Sequence, residues 1–191
     1  MANIFDPRQM QKLESPERRM MLPAQAILIR TGLKAGQVMA DAGAGTGYFT
    51  FPAADIVGAE GRVLAADISE EMLAHIGSKL SVENKDRITL IRSDEHSFCL
   101  PDGAADYLLL SLVLHEADDP LMMLRDIHRS VKPGGRCVVV EWIKTQMVKG
   151  PPAEHRIAMD RASEILEKAG FCEIEEIVFN EFFYILTAQK Q

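Results

Sequence analysis

Three things are scarce in this 191-residue chain: cysteine, basic charge and long apolar runs. The three cysteines, Cys99, Cys137 and Cys172, stand 38 and 35 residues apart, spacings that build neither a metal knuckle nor a redox pair. Their odd number and the lack of a signal-like N-terminus point to a reducing cytoplasm. No apolar stretch approaches the ~20 residues that span a bilayer, so no membrane partner is expected. Acids outnumber bases 28 to 21, for a net charge of -7. That balance argues against nucleic acid, whose phosphates need a clustered basic surface. Internal repeats, long linkers and low-complexity tracts are missing too. The length suits one domain with a small extension and is sufficient to bury a full core.

What the chain does have is regular alternation. From residue 37 onward short apolar runs alternate with helical segments, the pattern of an α/β fold with a mostly parallel sheet covered on both faces. Strands are expected at 38–41, 62–66, 88–92, 105–111 and 136–142. The fourth carries the unbroken run Tyr107-Leu108-Leu109-Leu110 of a strand buried on both sides. Asp119-Pro120 opens a helix whose inward stripe is Leu121, Leu124, Ile127 and Val131, and Pro133-Gly134-Gly135 ends it. A last helix is expected over 154–169, closing at Gly170. Two β-rich runs, 172–179 and 182–188, flank Asn180-Glu181, a link short enough for a hairpin. Ahead of all this, Ser15-Pro16-Glu17 starts helical sequence over 15–31 that breaks at Pro23 and stops at Gly32. Residues 1–36 therefore read as an N-terminal helical extension or lid, and 37–191 as the main domain.

The chemistry concentrates in Val38-Met39-Ala40-Asp41-Ala42-Gly43-Ala44-Gly45-Thr46-Gly47-Tyr48, an apolar run that ends in an acid and then places glycine at every second position. Glycines so close together strip Cβ atoms from one side of a turn and permit positive φ, so the backbone itself can lie against an adenosine-type ligand. The dinucleotide fingerprint G-x-G-x-x-G needs a third glycine where this chain has Tyr48. Asp41, two residues before Gly43, would repel a pyrophosphate by ~4 kcal/mol per charge pair at 4 Å and attract a cation by as much. This sign favours the sulfonium and ammonium of S-adenosylmethionine (SAM) over NAD. Asp67 follows Gly47 by twenty residues, at the tip of the next strand, where an acid accepts ribose hydroxyls through bonds of ~1.5–3 kcal/mol. Its other use, capping the helix that opens at Ser69, is already served by Ser69 with Glu70 and Glu71.

An acid, a spacer and G-x-G-x-G resemble motif I of the class I SAM-dependent methyltransferases, and the resemblance runs in order over 37–191. The Lys132-Pro133-Gly134-Gly135 turn and the Glu167-Lys168-Ala169-Gly170-Phe171 helix end are similar to those of the small-molecule branch around the ubiquinone/menaquinone C-methyltransferases. The resemblance implies a Rossmann-like, mostly parallel seven-stranded sheet with a C-terminal antiparallel hairpin, and SAM as cofactor. It implies a cofactor-binding set of Asp41, Gly43, Ala44, Gly45, Thr46, Gly47, Asp67, Ile68, Met72, Asp94, Glu95 and Ser111. Asp94 would face the adenine amino group, with a solvated turn acid as the equal alternative. Ile68 and Met72 would sandwich the ring, although helical spacing also suits Met72 to core packing. The implied function is methyl transfer to a small organic acceptor at oxygen, carbon or nitrogen. Two alternatives stand beside it: an NAD-dependent oxidoreductase, which has the glycine turn and Asp67 but lacks a Tyr-x-x-x-Lys, and a non-catalytic SAM-binding module.

On the acceptor side, the fourth strand delivers Ser111-Leu112-Val113-Leu114-His115-Glu116 to the sheet edge. His115, with an ordinary pKa of ~6.5, is the candidate base; the alternative is a loop histidine that caps backbone groups or lines the pocket. His155 is a second candidate, and Arg156 beside it a candidate for an acidic substrate. There is no Asn/Asp-Pro-Pro-aromatic tetrad and no Pro-Cys pair, so amide and nucleic-acid acceptors lose ground. No metal is expected, because Asp119, next to Asp118, serves as a helix cap; isolated cysteines likewise argue against arsenite. The first 36 residues carry Arg8, Lys12, Arg18, Arg19, Arg30 and Lys34 against Asp6, Glu14 and Glu17, which suits either a solvated helix face or an anionic substrate. Phe5, Met10, Met20, Met21 and Leu22 would either face the acceptor or pack as core. The pattern specifies no oligomeric state.

Overall fold

The computed structural model describes residues 7–147 and 149–191. A 3-10 segment, Pro7–Glu14, leads into helices α1 (Pro16–Met21) and α2 (Ala24–Arg30). Ser15 caps α1, its hydroxyl accepting from the Arg18 N–H at 3.2 Å, and the chain breaks at Pro23 as expected. Next come β1 (Val38–Ala42), α3 (Thr50–Val57), β2 (Arg62–Asp67), α4 (Glu70–Lys79), β3 (Ile88–Arg92) and β4 (Ala105–Ser111). Then follow α5 (Pro120–Ser130), β5 (Val131–Trp142), α6 (Met159–Ala169), β6 (Phe171–Val178) and β7 (Phe183–Lys190). The strands form one seven-stranded sheet of order β3-β2-β1-β4-β5-β7-β6. The first five run parallel and β7 is antiparallel to both its neighbours.

Side chains alternate across each strand, so the sheet carries two cores. On one face Met39, Val63, Leu109 and Val138 pack with Ile27, Leu28, Ala53 and Ile76, from α2, α3 and α4. On the other, Ala40, Leu108, Leu110 and Val139 meet Leu124, Ile127, Ile165 and Leu166, from α5 and α6. Each Val, Leu, Ile or Met side chain among them contributes about 1.5–3 kcal/mol of burial. The alternation also aims Asp41 at the α3 side, the one acidic break in an apolar strand.

Three details depart from the sequence reading. Pro133-Gly134-Gly135 does not end α5; it lies inside β5 as a bulge, between the pairs Ala105↔Val131 and Tyr107↔Arg136. Gly135 permits it, because a Cβ there would stand 2.8 Å from the Lys132 carbonyl oxygen and 3.1 Å from that of Ala105. Helix α6 begins at Met159 rather than near 154, since the Arg156 side chain draws the preceding loop into a fold of its own. The β6–β7 turn spans four residues, held by the Asn180 side-chain oxygen accepting from the Phe182 and Phe183 N–H groups at 2.9 and 3.0 Å. In the N-terminal segment, Met20 is 78% exposed and Leu22 is fully buried in the core. Met10 and Met21 are half-buried, and Phe5 lies outside the described residues.

Candidate functional site

Strand order reverses between β1 and β4, and at their carboxyl ends opens a cavity of about 1080 Å³. Its floor is the bend after β1. Gly43 has φ +77°, and a Cβ there would sit 2.5 Å from Val113 Cγ2, so the bend and the end of β4 touch through a missing side chain. The Gly43 and Ala44 N–H groups both donate to the Ala66 carbonyl, at 2.8 and 3.0 Å, which fastens the bend to β2. Opposite, Leu112 takes φ +60°, a left-handed conformation costing a non-glycine residue about 1–3 kcal/mol, and its N–H donates to the Val140 carbonyl at 2.8 Å. This strained residue turns Val113 toward Gly43 and sends the following residues into the cavity wall.

Two buried carboxylates flank the bend. Asp41 Oδ2 accepts from the Thr50 hydroxyl at 2.6 Å. Burial pushes the Asp41 pKa up to about 7; the Thr50 bond opposes the shift and the charge of Asp67 adds to it. Asp67 accepts from the Gly45 N–H at 2.7 Å on one oxygen and the Ser69 N–H at 2.8 Å on the other. Burial raises its pKa against those bonds. Ser69 remains the helix cap, accepting from the Met72 N–H at 3.2 Å. Asp67 thus braces the bend, and each of its oxygens keeps a lone pair directed elsewhere.

Asp41, Gly43, Ala44, Gly45, Thr46, Asp67, Ile68, Met72, Asp94, Glu95, Ser111 and His115 all line this one cavity. Gly47 stands behind the lining, where a Cβ would come within 2.7 Å of the Phe51 ring. Asp94 is exposed and accepts from the His96 and Ser97 N–H groups, both at 2.8 Å, which holds its pKa below the usual range. It forms a turn and borders the cavity at once. The hydroxyls of Thr46 and Ser111 are buried on this wall with no protein hydrogen-bond partner. Orphaned hydroxyls, an open glycine bend and acids with spare acceptor capacity fit a polar, cationic adenosine derivative such as SAM.

Facing the bend, His115 Nδ1 lies 2.8 and 2.9 Å from the two carboxylate oxygens of Glu141, a residue with no solvent exposure. The same carboxylate accepts from the His115 and Trp142 backbone N–H groups at 3.2 and 3.1 Å. Burial works against a protonated imidazole here, but Glu141 outweighs it and the His115 pKa is raised. Burial pushes neighbouring Glu116 to about 7, with Glu141 and Asp67 adding and His115 opposing. Arg156, a sequence candidate for an acidic substrate, is committed elsewhere. Its guanidinium donates to the carbonyls of Pro151, Ile143, Thr145 and Lys149 at 2.5–3.2 Å and lies 5.4 Å from the Trp142 ring. It holds the loop that brings Gly150 and Pro151 over the cavity. His155 sits in the short 3-10 turn Ala153–His155 of that loop, outside the cavity lining.

Residues 23–153 match the sequence profile of the ubiE/COQ5 methyltransferase family. The chain belongs to that family. It is 34% identical over 112 residues to a demethylmenaquinone methyltransferase of Lactococcus lactis, covering 59% of this chain and 44% of the relative. With the ubiquinone/menaquinone biosynthesis C-methyltransferase UbiE of Marinomonas sp. it shares 30% over 118 residues, 61% of this chain and 47% of that one. It therefore spans about half the length of the curated relatives it matches. Among solved structures, a SAM-dependent methyltransferase from Aquifex aeolicus superposes with a TM-score of 0.91 at 28% identity, over 98% of this chain and all of that one. A phosphoethanolamine N-methyltransferase of Haemonchus contortus, at 20% identity and TM-score 0.72 over 88% of this chain and 52% of that one, shares the fold.

Within this member of the ubiE/COQ5 family the sequence reading overlooked two residues, Glu141 behind His115 and Arg18 on the cavity wall. Glu141 carried a signal, an acid inside the apolar run Cys137-Val138-Val139-Val140, where an unpartnered charge would be costly. Arg18 carried none beyond the mild basic excess of the first 36 residues. In this segment Leu13 and Arg18, rather than Met20 or Leu22, border the cavity.

Proposed function

We propose that this chain transfers a methyl group from SAM to a small organic acceptor that loses a proton in the reaction. The observation that carries the reading is the His115–Glu141 pair, set across one cavity from the Asp41–glycine bend–Asp67 cradle. In this reading Asp67 takes the ribose hydroxyls, Asp94 and Glu95 the adenine edge, and Ile68 and Met72 its faces. Asp41 offers negative charge to a cationic donor, and the free hydroxyls of Thr46 and Ser111 offer it hydrogen bonds. Bound SAM supplies a methyl group on a positively charged sulfur. What the chain must add is placement and a destination for a proton. With Nδ1–H donating to Glu141, the Nε2 lone pair of His115 is left to receive that proton, and the negative carboxylate stabilises the resulting imidazolium. Trp142 and the Arg156-held loop exclude water from the same end.

The names of the curated relatives favour a quinone-type acceptor methylated at carbon. Residues 1–36 act in this reading as a lid on the 37–191 domain, supported by Leu13 and Arg18 on the cavity wall. The three free cysteines, one exposed, suit a reducing cytoplasm. No helix among the described residues is long and apolar enough to cross a membrane.

Calorimetry with SAM and with NAD tests the donor: SAM is expected to bind, and tight NAD binding without SAM binding rejects the reading. Release of S-adenosylhomocysteine in a metabolite extract separates an enzyme from a binding module. Once an acceptor is in hand, His115→Ala is expected to lower kcat about 10²- to 10⁴-fold. The wild-type rate should rise with pH through an apparent pKa above the ordinary histidine value, because the base works only when deprotonated. Glu141→Gln should move that limb to lower pH, since it removes the charge that raises the His115 pKa. A limb that stays in place would separate Glu141 from the proton transfer.

A further inference from the structure

Arg18 is the one permanently cationic side chain on the cavity wall among the described residues, facing a lining that includes Asp41, Asp67, Asp94, Glu95 and Glu116. Its guanidinium carbon stands 5.0 Å from the Tyr48 ring centroid, and Tyr48 is pinned by its hydroxyl donating to the Leu22 carbonyl at 2.6 Å. The Nε–H is sealed from solvent and has no hydrogen-bond partner. Burial draws the Arg18 pKa down to about 10, with only the Tyr48 hydroxyl opposing. Other arginines contrast with it: Arg129 lies between Asp102 and Asp126, Arg136 donates to the Thr31 carbonyl and Arg161 pairs with Glu164. A half-buried cation with a sealed, unbonded N–H and no counter-ion among the described residues is costly, and a site that keeps one has a use for an anion.

The placement is held from several sides. Ser15 caps α1, Glu17 pairs with Lys149, and the Asn180 side-chain amide donates to the Met21 carbonyl at 2.7 Å. Tyr48 directly follows the third glycine of the bend, and Leu13 reaches within 3.6 Å of where a Cβ on Gly45 would lie. Arg18 therefore stands at the glycine end of the cradle, and with the nucleoside assigned to Asp67 and Asp94, the other end of the donor lies toward it. We infer that Arg18 is the carboxylate anchor for the amino-acid end of the methyl donor, with Asp41 taking the positive charge of the same end. This rests on the donor proposed above. It also explains how an acid-lined cavity accepts a ligand carrying a carboxylate.

Titration of the full chain with S-adenosylhomocysteine and with its decarboxylated analogue, S-adenosyl-3-thiopropylamine, tests the inference. The two differ by the carboxylate alone. The wild type is expected to bind S-adenosylhomocysteine about 10- to 100-fold more tightly, the worth of one charge-assisted contact. Arg18→Met should erase that preference by weakening S-adenosylhomocysteine while leaving the analogue within about twofold, which also reports that the variant is folded. Arg18→Lys should restore part of it. A preference that survives in Arg18→Met, or a loss shared equally by both ligands, overturns the assignment. A wild type that binds neither ligand ends the donor reading and this inference with it.

Discussion

Alanine at position 67 is expected to weaken S-adenosylhomocysteine binding by about 2–4 kcal/mol, roughly 30- to 1000-fold, in a calorimetric titration. The sequence alone implied only the loss of bonds to ribose. The structure adds a second cost, because the same carboxylate accepts the Gly45 N–H at 2.7 Å and the Ser69 N–H at 2.8 Å. Without it the Gly45 end of the bend loses its tie to β2, leaving only the Gly43 and Ala44 bonds to the Ala66 carbonyl, and must be ordered again by the ligand. The fold itself should tolerate the change. Burial raises the pKa of Asp67, so ionising it in the folded state costs free energy that alanine removes. A melting temperature within about 3 °C of wild type is the expected control. Unchanged affinity would remove Asp67 from the ligand.

Asparagine at position 41 should make the ligand-free protein more stable and the SAM complex weaker. Asp41 is 2% exposed and its pKa is pushed up to about 7, whereas an unfolded aspartate titrates near 3.8. An acid whose folded pKa is raised binds its proton more tightly when folded. Its ionisation therefore subtracts stability, beginning near pH 4, growing as pH rises and levelling off above about pH 7. Each tenfold gain in proton affinity on folding corresponds to ~1.4 kcal/mol, which puts the full penalty on the order of 4 kcal/mol. The gain from Asp41→Asn, measured by denaturant unfolding, should consequently be about 2–3 kcal/mol larger at pH 8 than at pH 5. A gain independent of pH would dismiss the buried charge as its source. In the wild type, SAM affinity should climb from pH 6 to pH 8 as Asp41 ionises, and in Asp41→Asn that climb should flatten. In the proposed reading this penalty belongs to the ligand-free protein and a bound cation would relieve it, as expected of a group kept for binding at the expense of stability.

Much of the architecture was legible because it is written in local pattern. Tyr107-Leu108-Leu109-Leu110 is too apolar for an exposed strand, and β4 spans the expected residues, as β3 does. Ser15, Ser69 and Asp119 cap the helices their side chains predict, accepting from the N–H three residues on. The terminal hairpin followed from two β-rich runs with too few residues between them for a crossover. Boundaries failed where a distant partner intervened. The Pro133-Gly134-Gly135 segment looks like a turn until β4 runs beside it, and α6 starts late because Arg156 spends its donors on four loop carbonyls.

The site divides in the same way. By itself, the sequence determined the strand–bend–helix unit, the alternating glycines that leave it open, and the spacing that sends Asp41 and Asp67 to adjacent strand tips. These are properties of neighbours along the chain, governed by φ preference and a period of two. Only the tertiary structure decided that Glu141, 26 residues from His115, lies against it, and that Arg18 stacks on Tyr48 with no acid among the described residues to pair with. It alone decided that Asp41 is dry enough to resist ionisation. The charge state of a group depends on the water removed around it and on the charges brought near it, and both are set by segments the local pattern does not connect.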